Sequence, residues 1–384
     1  MNESTSIADQ PAVPTWIQLV GMVVFALLLR AIYVAVVTQQ TGLELIDLLR
    51  AGDGKSYLAY AHFITGQADS ITAYDSRVFP GLPMLLAGLM KCGLGDVAAS
   101  LVVIVTSAAA SVAAMALLFK DARLGWLAAA VPPIFLICSA DLGNETPMLA
   151  LGLIGLLLAR NRSLAAVVLG GIALGLAGAV RPMAAFMVIA LLAWLAWEKR
   201  WRDAAVVAGV SLAVIGLALG GVHFLFGDAL EGVKVYAEDD RAYGGQMFTW
   251  PGKSLLQTPT EMAVPKSKLL YVWAHVAMVA AAVSMLTWRA FRRRETIVMI
   301  SLVWLALNTL FLLTVGDRWG FQILPRLTLP ALPATLFAFA PLYRRPGRRW
   351  FVAGLIGLAI ASLAVGIVQG TRGADRVDAA TSDS

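Results

Sequence analysis

The run WIQLVGMVVFALLLRAIYVAVV, residues 16–37, carries Arg30 as its one charged side chain. In water such a run has no use. In a bilayer it closes its own backbone hydrogen bonds as a helix and spans the hydrocarbon core, which takes about 20 apolar residues. Similar runs recur to the end of the chain, and they predict spanning helices near 16–38, 97–118, 124–140, 146–159, 163–180, 183–197, 204–226, 268–288, 296–315, 327–342 and 350–370. The fold class is therefore an all-α polytopic membrane protein with about 11 transmembrane helices. The spans at 146–159 and 183–197 are short and start inside polar loops or re-enter.

Composition removes the alternatives. Of 384 residues 59% are apolar and 14% are charged, against about 25% charged in soluble domains; mean hydropathy is +0.76. The runs lack the alternation of barrel strands. No Lys or Arg occurs in the first fifteen residues, and no small-residue cleavage pattern follows the first run, so it reads as an uncleaved helix. Cys92 and Cys138 stand apart from any ligand spacing.

Charge sets the expected orientation. Five short connections are basic: Lys120 and Arg123; Arg160 and Arg162; Lys199, Arg200 and Arg202; Arg289 with Arg292 to Arg294; Arg344, Arg345, Arg348 and Arg349. All five fall on the cytoplasmic side if FPGLPMLLAGLM, residues 79–90, lies on or dips into the outer interface instead of crossing. The amino terminus is then cytoplasmic. Of 24 acidic residues only Glu3, Asp9, Asp121, Glu198, Asp203 and Glu295 remain inside, and most of the others lie in two long loops, 39–96 and 227–267. The basic residues thus serve orientation, and nucleic acid is excluded as a partner. Long loops concentrate function. The chain reads as one membrane domain over 1–370 with a disordered tail at 371–384.

The stretch LLRAGDGKSYLAYAHFITG, residues 48–66, follows the first span. Asp53, Tyr57 and Tyr60 recur at helical spacing, which places them along one face of a short surface helix with outer-face interfacial neighbours. Asp53 is equally suited to capping that helix.

GDGKSYLAYA followed by RVFPGLPMLLAGL resembles the first outer loop of the GT-C superfamily, the polytopic glycosyltransferases that use polyprenyl-phosphate sugars, and among them the GPI mannosyltransferase and protein mannosyltransferase types. There an Asp-containing stretch precedes a Phe-Phe-Pro-like segment; here Gly52 stands before Asp53 and Val78 before Phe79. ADLGNETPMLALGLIGLLLARN resembles the second outer loop, with Glu145 opening the next helix and Asp141 nearby. GIALGLAGAVRPMAAF resembles a Leu-Thr-Arg-Pro-like turn, carried by Arg181 and Pro182. ILPRLTLPALPATLFAF resembles a late Arg-Tyr-Leu-Leu-Pro-like helix start, carried by Arg326 with Leu327.

The resemblance implies a GT-C-like fold and an inverting transfer of a sugar, mannose by the nearest pattern, from a polyprenyl-phosphate donor to a hydroxyl on a glycan, lipid or protein acceptor. It assigns Asp53 as general base. Such a reaction needs one base and a grip on the departing phosphate; a phosphate leaves without the strong general acid a glycosidase requires. Glu145 is the second catalytic candidate, against a plain N-terminal helix charge. Arg181, Arg318 and Arg326 are phosphate-clamp candidates, against interfacial snorkelling. Tyr57 and Trp250 are candidates for contacting substrate, Trp250 by stacking on sugar or anchoring its loop. Glu238, Asp239 and Asp240 adjoin in sequence, yet no metal and no cofactor is expected. Arg30, within a span, is a functional candidate or a partner of Glu44 or Asp47. His62, His223 and His275 share no ligand spacing. The expected setting is a bacterial plasma membrane, with membrane lipid as a partner. A transporter or flippase of a lipid-linked or polar substrate is the rival, though no paired halves occur.

Overall fold

The structure, a computed structural model, describes residues 13–130, 136, 140–242, 250, 252–253, 266–293, 295–314, 326, 328–344 and 347–382; side chains at 73–74, 236, 239–242, 266–269, 271, 293, 348 and 372–382 are outside the description. Every regular element among these residues is helical. Among the described residues six helices are long and apolar enough to cross a membrane: α1 (Trp16–Thr41), α6 (Asp96–Phe119), α11 (Trp201–Phe226), α13 (Lys266–Arg293), α14 (Thr296–Thr314) and α17 (Arg348–Ser382). Shorter apolar helices fill the expected positions between them: α8 (Glu145–Ala159), α9 (Leu164–Val180), α10 (Ala185–Trp197) and α15 (Leu332–Ala338). This is an integral, multi-pass membrane protein. Part of the expected span at 124–140 is helix α7 (Ala122–Ala130), and most of the rest lies outside the described residues. The backbone of α17 continues helical into the segment 371–384, as far as Ser382.

Local chemistry sets the ends of α1. Thr15 and Gln18 form a capping box, Gln18 N–H donating to Thr15 Oγ1 at 3.3 Å and Thr15 N–H to Gln18 Oε1 at 2.9 Å. Gly42, at φ 70°, closes the helix in the left-handed conformation. Between α1 and α6 lie four short helices, α2 (Leu45–Leu49), α3 (Gly54–Thr65), α4 (Ala73–Ser76) and α5 (Gly81–Lys91). With 11 residues α5 is about 16 Å long, too short to span. It buries Leu82, Pro83, Leu86, Ala87 and Met90 against α3, α6 and α9 while Leu85 stays exposed.

The core is a packed set of α6, α8, α9 and α11. Small residues let their backbones approach: a Cβ on Gly170 would stand 2.8 Å from Ala159 N and 2.9 Å from Gly155 O. Ser211 Oγ donates to Gly171 O at 2.9 Å and ties α11 to α9.

The two ends of this bundle differ. At one end the turns after α6, α8 and α10 meet α16 (Ala340–Arg344), because Arg160 Nη1 reaches Leu118 O, Arg200 reaches Arg160 O and Asn161 O, and Arg123 reaches Tyr343 O and Arg344 O. Four of the five basic connections thus share one end. At the other end stand the starts of α3 and α8, joined by Arg326, and the end of α9, joined to α8 by Arg181.

Candidate functional site

The backbone around Asp53 is built by two glycines. Gly52 sits at φ 57°, where other residues are strained. A Cβ on Gly54 would fall 2.0 Å from Leu49 O. The Gly-Asp-Gly order therefore presses the chain onto α2 and starts α3 with Asp53 at its N-cap position. Asp53 nevertheless makes no side-chain capping bond. Its Oδ2 accepts from Arg326 Nη2 at 2.8 Å, and its Oδ1 stands 3.8 Å from Arg77 Nη2. The capping reading of Asp53 gives way to a tertiary ion pair.

Arg77 was not singled out in the sequence reading; its only signal is its place two residues before Phe79-Pro80. It is held by α4, which is stapled to α3: Ser56 Oγ donates to Asp75 Oδ1 and Thr72 Oγ1 to Asp75 Oδ2, both at 2.7 Å. The Phe-Pro-Gly sequence then brings α5 against the end of α9, where a Cβ on Gly81 would lie 2.5 Å from Ala179 C and Val180 N.

Arg181 follows directly. Pro182 pushes the residue before it out of the helical region, and Arg181 is extended at φ −157°, ψ 126°. Helix α9 ends there, and Arg181 Nη1 donates to Asn144 Oδ1 and to Glu145 Oε1 at the start of α8. Asn144, also missed in the sequence, spends its side chain on Arg181 instead of capping α8. The same Glu145 Oε1 accepts from Arg326 Nε. Glu145 is 1% exposed, and its second oxygen, Oε2, has no hydrogen-bond partner among the described residues.

Arg326 is thus the hinge of the cluster, using one edge on Glu145 and one amino group on Asp53, residues 181 and 273 positions away. Tyr57 lies in the same field. Burial, then the charges of Asp53 and Glu145, push its phenol well above the usual tyrosine range, so it stays a neutral hydrogen-bonding group. Asp141, in the bend before α8, has Oδ1 sealed from solvent and without a partner among the described residues. Burial and the Glu145 charge raise its carboxyl to about 7 against the opposing pull of Arg326.

Of the residues expected from sequence, Asp53, Tyr57, Glu145, Arg181 and Arg326 are therefore brought together. Trp250 sits in a turn tied to the end of α14 by Gly252 N–H to Leu313 O at 2.7 Å, and the residue is 84% exposed. Arg318 lies outside the described residues. Arg30 is buried in α1 and donates from Nη1 to Ala26 O at 2.7 Å. His62 pairs with Asp96 at 2.9 Å, away from any ligand set. Among the described residues no group of three or more His, Cys, Asp or Glu side chains is arranged to hold a metal ion.

No protein-family model matches the sequence, and no curated protein does. Among solved structures the chain is similar to the crystal structure of ArnT from Cupriavidus metallidurans in the apo state. The identity is 16%, the match covers 91% of this chain and 75% of that one, and the TM-score is 0.48.

Proposed function

We propose that this protein is a GT-C-type glycosyltransferase that moves a sugar, mannose in our reading, from a polyprenyl-phosphate donor to an acceptor hydroxyl. The observation that carries the reading is the gathering of Arg77, Arg181 and Arg326 around Asp53 and Glu145, from five separate stretches of chain, at the end of the bundle opposite the basic turns. Three guanidinium groups against two carboxylates leave one positive charge unmatched when Asp141 is neutral. That surplus suits a phosphodiester, which carries one negative charge, and guanidinium groups grip phosphate oxygens in pairs.

Asp53 is the base in this reading. Its side chain is about one third exposed and so open to an incoming hydroxyl, whereas Glu145 is enclosed. The acceptor oxygen loses its proton toward Asp53 and attacks the anomeric carbon. The bond from that carbon to the phosphate oxygen breaks, and its electrons leave with the phosphate. A single displacement from the face opposite the phosphate inverts the anomeric centre. Glu145 keeps the two clamp arginines spread, and Tyr57 offers a neutral donor.

We further propose that the reaction runs on the outer face of a bacterial plasma membrane, with the amino terminus in the cytoplasm, and that it needs neither metal nor cofactor. The decisive experiment offers the purified protein a panel of polyprenyl-phosphate sugars with glycan, lipid and protein acceptors. Transfer from at least one donor supports the reading; a protein that binds no polyprenyl phosphate and transfers no sugar sinks it.

A further inference from the structure

The three arginines of the cluster are not held alike. Arg181 and Arg326 each donate to Glu145 at the start of α8, which fixes their guanidinium groups. Arg77 stands 3.8 Å from Asp53 Oδ1, a charge contact beyond hydrogen-bond length. How near it stands follows from its backbone, and that backbone is the C-cap of α4, a helix of four residues. One turn does not persist by itself. Asp75 supplies what it lacks. Its Oδ2 accepts from Thr72 Oγ1, the N-cap of α4, and its Oδ1 accepts from Ser56 Oγ on α3, both at 2.7 Å. Its N–H also donates to Thr72 Oγ1 at 3.1 Å. Ser56 is 2% exposed and stands one turn after Asp53, just as Arg77 follows closely on Asp75. The same two segments thus meet twice, through Asp75 and Ser56 and through Arg77 and Asp53. Helix α12 (Glu231–Ala242) also seats on α4, where a Cβ on Gly232 would stand 2.8 Å from Ser76 O.

We propose that Asp75 is a positioning residue of this site: its clip between α4 and α3 sets the Arg77 guanidinium beside Asp53, where it grips the phosphate of the donor and then of the leaving polyprenyl phosphate. The inference rests on the glycosyl-transfer reading above and adds the element that places its third guanidinium. Asp75 acts through Arg77. The sign of its effect separates position from charge. By charge alone a carboxylate close to an anion site opposes the anion, so deleting it would tighten phosphate binding. By position, deleting it releases α4, draws Arg77 away from the cluster and gives it rotamer freedom that phosphate must then remove, so binding weakens. The two hydroxyls that hold Asp75 can each donate or accept, and an amide in its place keeps the clip without the charge.

The test titrates the full-length protein in nanodiscs with a short-chain polyprenyl phosphate at pH 8, where the monoester carries close to two negative charges. This probe is the leaving product, so the outcome does not depend on which sugar is transferred. Arg77→Gln weakens its Kd roughly tenfold, the scale of one lost charged hydrogen bond. Asp75→Ala weakens it roughly three- to tenfold, part or all of the Arg77 contribution, and Asp75→Asn regains the wild-type Kd. In an Arg77→Gln background Asp75→Ala weakens it no further, because the arginine it placed is gone. Unchanged or tighter binding in Asp75→Ala, a loss that adds in full to that of Arg77→Gln, or an Asp75→Asn as weak as Asp75→Ala overturns the assignment while the transferase reading stands. A wild type that binds no polyprenyl phosphate overturns both. Should Asp75→Ala not fold, Ser56→Ala decides by the same criteria, since it opens the clip from α3 and leaves the cap of α4 intact: a loss of affinity that vanishes in the Arg77→Gln background supports the assignment, and an unchanged Kd overturns it.

Discussion

The two ends of the bundle both hold arginines beside buried acids, and they use them differently. At the basic end Asp121 is 3% exposed and both of its oxygens are engaged. Oδ1 accepts from Arg123 N–H and Leu124 N–H, which caps α7, while Oδ2 accepts from Arg344 Nε at 2.8 Å and Tyr343 O–H at 3.2 Å. The other arginines there donate mainly to backbone carbonyls: Arg160 to Leu118 O, Arg200 to Arg160 O and Asn161 O besides its local pair with Asp203, and Arg289 to Phe337 O. These satisfy carbonyls that helix ends leave open. At the acidic end arginines donate to carboxylates across the fold, and one oxygen each of Glu145 and Asp141 has no partner among the described residues. A saturated cluster is a latch. An unsaturated one with surplus positive charge has the electrostatics to suit an anion.

Breaking the latch should have the largest effect, and on stability alone. Asp121→Ala leaves Arg344 without its carboxylate and α7 without its cap, and should cost about 3 kcal/mol of unfolding free energy. Thermal unfolding in detergent measures it, and donor KM in the surviving folded protein should be unchanged. A loss of donor affinity in that variant would erase the distinction between the two ends.

At the acidic end the order reverses. Asp53→Asn should insert and fold, because no capping bond is lost and its amide oxygen can still accept from Arg326 Nη2, yet transfer should fall roughly 10²-fold or more, the scale of a general base. Donor binding should persist, as measured by equilibrium binding of a labelled donor. Near wild-type transfer would remove Asp53 from the chemistry.

Arg326→Lys keeps the charge and loses the planar fork that reaches Glu145 and Asp53 together. Donor affinity should weaken roughly tenfold, about one charged hydrogen bond, with Arg326→Ala weaker still. The corresponding change at the basic end, Arg344→Lys, should leave donor affinity alone.

The smallest effect is on stability as a function of pH. The folded protein raises the Asp141 carboxyl from its ordinary value to about 7, so the folded state binds that proton more tightly than the unfolded chain. Its contribution to stability is present below about pH 4, is lost as pH rises through about 7, and does not change above that. Asp141→Asn should therefore flatten the decline of the melting temperature between pH 5 and pH 8 by a few degrees. An identical slope in the variant would mean that Asp141 is already ionised in the folded protein.

What the sequence settled is what depends on near neighbours. Apolar run length decides which segments become long helices, because the backbone in a bilayer must pair within itself. Gly52 and Gly54 mark the turn at Asp53, and Pro182 marks the break at Arg181, since both act through backbone sterics within a residue or two. Asp53, Glu145, Arg181 and Arg326 were all legible as candidates, each beside a reading in which it did nothing but cap a helix or face the interface. Only the packed structure shows what each of these side chains touches. Asp53 pairs with a residue 273 positions away and Glu145 with residues 36 and 181 positions away. Arg77, Asn144 and Asp141 enter the site for the same reason. Charge pairing across such separations follows from how α3, α8 and α9 pack, and no local periodicity encodes which side chains that packing brings within 3 Å.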